Sequence, residues 1–295
     1  MQHFYIGVDG GATKCIVRLE DATGKIIGRE QSGPASIRLS VEKTWHSINT
    51  ALDKLLPRLG TTYQLHAGMG LAGCEITEAY TAFLAHAHRF TTLIVTSDAQ
   101  TACLAAHQGK DGAIIIAGTG VVGLQMENGR IAKVSGYGFP HDDEGGGAWL
   151  GLKAVQWTWQ WLDKRRPASG LTTAVFAHFA HDQNRMQQWA NVADATAFAE
   201  LAPLVIQQAQ NGDMLARHLL TQAARALDSV HAALVAAQIN PNARLPCALV
   251  GGIAPFLLPL LGNSLQSCLS PCLSPPDQGA ILLVRNAIAK EAIHE

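Results

Sequence analysis

Three glycine turns, each following a short apolar run, hold the side chains of this chain that could do chemistry. The first is Tyr5–Lys14, YIGVDGGATK, where an apolar strand carries Asp9 to its end and Gly10-Gly11 opens a turn containing Thr13 and Lys14. Paired glycines leave backbone N–H groups unshielded by a Cβ and permit positive φ. A carboxylate, a hydroxyl, an ammonium and bare amides close together suit Mg-bound phosphate better than phosphate alone. A plain hairpin turn would explain the same DGG. The second turn, Gly118-Thr119-Gly120, follows the apolar run GAIIIA. It lacks a preceding Asp, so phosphate contact without metal is its natural role. The third, Gly251-Gly252 in LVGGIA, would pass adenine or ribose over a flat backbone, or simply turn the chain.

Two further stretches carry candidate groups. Asp98 stands where the strand pattern Thr91–Thr96 gives way to a helix, a position equally suited to an N-cap and to a general base for a hydroxyl. Ser135–Gly151, SGYGFPHDDEGGGAWLG, sets an aromatic ring between glycines and follows it with three acids and three glycines. Tyr137 as a stacking ring and Asp143 as a carboxylate are what a sugar's apolar face and hydroxyls would want. The plainer alternative is a connector whose Asp142 or Asp143 caps the next helix, with Glu144 favouring its dipole.

The elements that must position these groups follow from periodicity. Strands are expected at Cys15–Glu20, Lys25–Gln31, Leu65–Leu71 and Thr91–Thr96, the last as a fully buried parallel strand. Helices are expected at Val41–Leu56, stopped by Pro57, and at Glu75–His88. The small-residue loop Ser32–Arg38 between them leaves room for a ligand or merely connects. The order then restarts with strand Gly112–Ala117, the second glycine turn, and strands Val121–Met126 and Ile131–Ser135. Helix Gly146–Trp161, a nearly all-helical Leu171–Gln238, strand Arg244–Val250 and a helix over 277–295 complete the chain. A repeated strand, glycine turn and hairpin implies two related α/β lobes that face each other across a cleft, divided as 1–108 and 109–295.

Composition bounds the partners. The 295 residues are 48% hydrophobic and 15% charged, with 22 basic and 23 acidic side chains and a formal net charge of −1. Such a balance, without a long basic run, excludes nucleic acid as an implied partner. No basic region followed by a long apolar segment opens the chain, and glycines and prolines interrupt Leu245–Pro276, so neither a signal peptide nor a membrane span is expected. Six scattered cysteines and twelve dispersed histidines offer no metal-ligand spacing, and reduced cytoplasmic thiols are the simplest account.

GVDGGATK, GLAG, the Asp98 helix start, GTG, the DEG–G–W–G run and the late GG turn, in that order, resemble the acetate and sugar kinase/actin superfamily. Within it, the whole chain resembles the BadF/BadG/BcrA/BcrD-type ATPases, specifically their N-acetylglucosamine and glucosamine kinase members. The resemblance implies an α/β fold of two ribonuclease H-like lobes, a duplicated βββαβαβα with an interlobe cleft and a helix-rich C-terminal part. It implies ATP and Mg²⁺ as cofactors and phosphorylation of an amino-sugar 6-hydroxyl. Gly10, Gly11, Thr13 and Lys14 would form the first phosphate loop with Asp9 near Mg²⁺, Gly118, Thr119 and Gly120 the second, and Gly251 and Gly252 the adenosine turn. Asp98 would be the base, with Ser36, Gly136, Tyr137 and Asp143 at sugar-holding positions. Ser36 stands where these kinases often carry Asn, Tyr137 where animal relatives carry Trp, and Asp142 replaces the usual Gly. Those departures bear on which sugar is taken. The family is often dimeric, so a homodimer is expected as well. Rival readings are an activator ATPase coupled to a redox enzyme, which would need cysteines placed for an iron–sulfur cluster, and a non-catalytic sugar or nucleotide switch.

Overall fold

The computed structural model describes residues 1–60 and 62–294. The chain divides into two compact units, one formed by Met1–Gly112 together with the segment from Pro271 onward, the other by Ala113–Ser270.

The first unit contains β1 (Gln2–Gly10), β2 (Cys15–Asp21), β3 (Ile26–Ser32), α1 (Val41–Leu55), β4 (Tyr63–Leu71), α2 (Thr77–Leu84), β5 (Thr92–Thr96) and α3 (Asp98–Ala106). Its sheet has the order β3-β2-β1-β4-β5. β1 runs antiparallel to β2 and parallel to β4, so the end of β1 lies beside the end of β4, with Gly10 level with Leu71. Alternation drives Phe4, Ile6 and Val8 into the core, against Trp45, Ile48, Leu52 and Leu55 of α1. Each such side chain contributes roughly 1.5–3 kcal/mol on burial. Ser40 caps α1 by accepting from the Lys43 N–H at 3.1 Å. Pro57 does not stop the chain abruptly; it sits inside a 3₁₀ turn over Leu56–Arg58 that extends α1.

The second unit holds β6 (Gly112–Ala117), β7 (Val121–Glu127), β8 (Arg130–Ser135), α4 (Gly147–Leu162), α5 (Gly170–His178), α6 (Gln183–Val192), α7 (Ala195–Ala199), α8 (Ala202–Gln210) and α9 (Met214–Ala236). After these come β9 (Cys247–Val250), α10 (Ala254–Leu257), α11 (Asn263–Gln266) and β10 (Leu269–Ser270). Its sheet order is β10-β9-β6-β7-β8. Read from the other edge, β8-β7-β6-β9-β10 repeats the arrangement β3-β2-β1-β4-β5, which is the duplication read from the two strand–turn–hairpin segments. The expected helical block resolves into α5–α9, whose breaks carry Asp182, Asp194 and Asp213, each accepting from backbone N–H groups as an N-cap.

Three expectations change. β5 is an edge strand and only half buried, so its apolar character reflects packing on one face rather than burial within a sheet. The helix expected over Glu75–His88 is shorter, Thr77–Leu84. The last helix, α12 (Pro276–His294), packs within the first unit rather than with the segment 109–270. It approaches β1 and β4 so closely that a Cβ on Gly7 would lie 2.0 Å from the Asp277 carbonyl oxygen, and one on Gly68 1.9 Å from that of Ala280. Two glycines in otherwise apolar strands thus form a shallow groove for this helix. Among the described residues, no helix is long and apolar enough to cross a membrane.

Candidate functional site

In the first unit, candidate groups gather where β1, β4 and β5 end. Gly11 N–H donates to the Lys14 carbonyl at 3.0 Å and closes the turn from β1 to β2. The turn is tied to its neighbours by Ala35 N–H donating to the Gly11 carbonyl and Ala72 N–H to that of Gly10, both at 2.9 Å. Neither Gly10 nor Gly11 has positive φ, contrary to expectation. Gly10 is required by close packing instead: a Cβ there would lie 2.5 Å from Leu71 Cδ2 and 2.7 Å from the Ala35 carbonyl. Gly11 has open space on that side, and Thr13 and Lys14 are exposed. Ser36 is buried; its hydroxyl donates to the Ala72 carbonyl at 3.3 Å and bridges the loop to the end of β4.

Asp98 begins α3 at the end of β5. The capping role open to it belongs to Ser97, whose hydroxyl accepts from Gln100 N–H at 3.2 Å. The Asp98 carboxylate accepts from the Ala99 N–H at 2.8 Å, and the Thr101 hydroxyl donates to the Asp98 carbonyl at 3.0 Å. Asp9 and Asp98 feel each other. Burial, then the Asp98 and Asp277 charges, push the Asp9 carboxyl up to about 6, against the pull of Lys14 and Arg29. A carboxylate held near its own ionisation beside a second acid is poised for a cation or a proton.

Asp277, which no sequence pattern singled out, is fully buried in the first turn of α12. The Arg29 guanidinium donates to both its oxygens, at 2.8 and 3.0 Å, and Arg18 lies 3.8 Å away. Its partners are some 250 residues distant in sequence (the separation is 248), so local spacing carries no trace of the pair.

In the second unit, the Gly118–Gly120 turn is shaped by the acidic and glycine-rich run. Gly147 and Ala148 at the start of α4 donate to the carbonyls of Gly118 and Thr119, at 2.8 and 2.9 Å. A Cβ on Gly146 would come within 2.7 Å of the Thr119 carbonyl, which is why glycines crowd this helix start. Asp143 is buried, in the left-handed region at φ 68°, with its carboxylate against Gly120 and accepting from Val121 N–H at 3.4 Å. Asp142 organises the loop before it, accepting from the Ser135 hydroxyl at 3.0 Å and from the Tyr137 N–H at 2.9 Å. Those hydrogen bonds outweigh its burial and hold its carboxyl below the usual carboxylate range. The Tyr137 ring is 75% exposed with the Lys133 ammonium above it, and Gly136 beside it has φ 79°.

Gly251 adopts φ 111°, and a Cβ there would lie 2.1 Å from the Ala117 carbonyl, so only glycine fits. Gly252 and Gly118 face open space and line a cavity of about 710 Å³. Its walls include Ile206, Ile253 and Phe256, and Gln207 and Gln210 add amides. An apolar slot with a few polar groups beside bare glycine turns is suited to a heteroaromatic base carrying phosphate. Sequence reasoning found the turns but not the walls, because Ile206 and Phe256 belong to no motif in the sequence. Among the described residues, no group of three or more His, Cys, Asp or Glu side chains is arranged to hold a metal ion.

A profile of the BadF/BadG/BcrA/BcrD ATPase family matches residues 6–267. The chain is 34% identical over 284 residues to the glucosamine kinase GspK of Vibrio cholerae, covering 95% of each. It is 24% identical over 260 residues, 85% of each chain, to an N-acetylmuramic acid/N-acetylglucosamine kinase of Clostridium acetobutylicum. The fold matches a crystal structure from Chromobacterium violaceum, provisionally assigned as an N-acetylglucosamine kinase, with a TM-score of 0.87 at 32% identity over 95% of this chain and 98% of that one. A ROK family glucokinase from Streptomyces griseus shares the fold alone, with a TM-score of 0.54 at 15% identity over 96% and 99%.

Proposed function

We propose, for a chain that belongs to the BadF/BadG/BcrA/BcrD ATPase family, that it transfers the γ-phosphoryl group of ATP to the 6-hydroxyl of an amino sugar, glucosamine or N-acetylglucosamine. The observation that carries this reading is the Asp98 carboxylate at the end of β5, whose charge reaches Asp9 and adds to the burial that pushes the Asp9 carboxyl up to about 6. Asp98 accepts the proton of the attacking hydroxyl as the phosphoryl group arrives. The Gly10-Gly11 turn, whose Gly11 N–H is held by the Lys14 carbonyl, offers the Ala12 and Thr13 amides to phosphate oxygens, with the Lys14 ammonium and the Thr13 hydroxyl beside them. In the second unit, Gly118, Thr119 and Gly120 meet phosphate, and Gly251-Gly252 with the apolar slot receives adenosine.

Magnesium fits the donor chemistry of the first unit. It is commonly held by one or two carboxylates plus substrate phosphates rather than by a protein cage, and Asp9 supplies one. When bound with ATP it neutralises charge on the transferring phosphate. Gly136, Tyr137, Asp143 and Ser36 are proposed for the sugar, with a division of labour: Tyr137 offers an exposed ring, while buried Asp143 and Ser36 each fix the backbone of their own unit. A cytoplasmic setting and a homodimer belong to the same reading, the former supported by six free cysteines.

Coupled ADP release with ATP and Mg²⁺, run with glucosamine, N-acetylglucosamine and glucose side by side, tests the proposal. Turnover with one amino sugar well above glucose supports it, and phosphorus NMR of the product locates the ester. Slow ATP hydrolysis that ignores every sugar refutes it.

A further inference from the structure

A second cavity opens in the Ala113–Ser270 unit at the other end of its sheet, beside Pro246 and the starts of β6 and β9. The glycine turns stand at the C-terminal ends of those strands, so this cavity is separate from the nucleotide slot. Its volume is about 720 Å³, within the roughly 300–1,000 Å³ of small-molecule sites. Its lining is polar and includes Arg244 and no acidic residue. The two buried side-chain oxygens that lack a hydrogen-bond partner among the described residues, Gln238 Oε1 and Ser270 Oγ, belong to residues lining this cavity. Leaving a buried oxygen without a partner is unfavourable, so their coincidence at one cavity marks a place built to meet polar groups.

A nucleophile stands on the same wall. Cys268 Sγ lies 3.1 Å from His231 Nε2 and 3.2 Å from the Leu265 carbonyl. His231 is buried on α9, and burial pushes its imidazole down, so the ring is neutral and Nε2 can accept the thiol proton. A hydrogen bond from the Cys247 thiol, outweighing burial, lowers the Cys268 thiol to about 7. Asp228 is the charged group whose field reaches His231. Burial instead pushes Cys15 and Cys74 up to about 12.

We propose that Cys268 is a site of reversible thiolation, exchanging with a small anionic disulfide of the glutathione type whose retained half lies in the cavity. The Cys268 sulfur attacks one sulfur of the disulfide, forming the mixed disulfide and breaking the original S–S bond. His231 Nε2 takes the thiol proton and returns it to the departing thiolate, so one thiol is consumed and one released. Arg244 meets a carboxylate of the bound half, and Gln238 and Ser270 accept from or donate to its amides.

The test is incubation of the full chain with glutathione disulfide at pH 7, followed by peptide mapping, with the exposed Cys272 as internal control. Cys268 should react about 4-fold faster than Cys272, from the gain in thiolate less the loss in nucleophilicity, and dithiothreitol should reverse the adduct. His231→Gln should slow Cys268 and leave Cys272 unchanged. Arg244→Ala should slow glutathione disulfide but not neutral 2-hydroxyethyl disulfide. Equal rates at Cys268 and Cys272 in the unaltered protein would overturn the proposal, whatever the variants do. An Arg244→Ala effect of the same size on both reagents would overturn the assignment of an anionic ligand.

Discussion

Replacing Asp9 with Asn separates what this carboxylate does for the fold from what it does for the reaction. Its carboxyl is raised from 3.8 to about 6, by burial first and by Asp98 and Asp277 next. At ~1.4 kcal/mol per tenfold change, carrying the charge at pH 8 costs the folded protein up to about 3 kcal/mol. Relaxation and the residual access of water to this half-buried side chain reduce that to about 2 kcal/mol. The sign follows from proton binding: between about pH 4 and pH 6 the folded protein holds the Asp9 proton more tightly than the unfolded chain. The unaltered protein therefore loses this contribution as pH rises through 6, whereas Asp9→Asn does not. Thermal unfolding without ligand should show Asp9→Asn more stable at pH 8 by roughly 5 °C, with the gap closing by pH 4. The same variant should lose phosphoryl transfer by on the order of 10²–10³. A variant that is no more stable than the unaltered protein at pH 8, with the same slope between pH 4 and 6, would refute the assigned burial and charge repulsion.

Asp98→Asn should reduce sugar-dependent turnover by about 10²–10⁴ while nucleotide affinity measured by calorimetry stays within about twofold, since only proton transfer is removed. Two glycines of the second unit should part company. Gly251→Ala forces φ 111° and a clash with the Ala117 carbonyl on a Cβ, and should lower thermal stability by about 3 kcal/mol or more. Gly118→Ala meets no atom within 4 Å and should leave stability unchanged while raising the KM for ATP. Asp142→Ala removes the acceptor for Ser135 and Tyr137, and should raise the sugar KM several-fold with little change in that for ATP.

The strand and turn pattern was legible because it is local. Alternating apolar residues in β1 and the runs GAIIIA and LVGG define strands, and their repetition anticipated two related lobes, whose sheets share one strand order. Asp98 could be placed at a strand end for the same reason, although Ser97 took the cap. Groups whose meaning lies in distant partners were not legible. Asp277 becomes significant through Arg29 and Arg18, Cys268 through His231, and Ile206 and Phe256 through the cavity they share with Gly252. The reason for Gly10 also escaped, since a residue that makes room for Leu71 and Ala35 looks, in sequence, like one that turns the chain.

The placement of α12 has a consequence for how the molecule is made. The chain leaves the first unit after Gly112 and returns only at Pro271, so the second unit is an insertion within the first. A ribosome delivers the strands of the first sheet early but the helix that covers Gly7 and Gly68 only after the whole of the second unit. Until then Arg29 lacks the acid that neutralises it, and one face of β1 and β4 stays wet. The inserted unit, whose strands and helices are contiguous in the chain, is complete before the unit that begins at the N-terminus, reversing the usual N-terminal-first order of synthesis and folding. Its assembly is then the interval during which the waiting sheet is most open to misassociation.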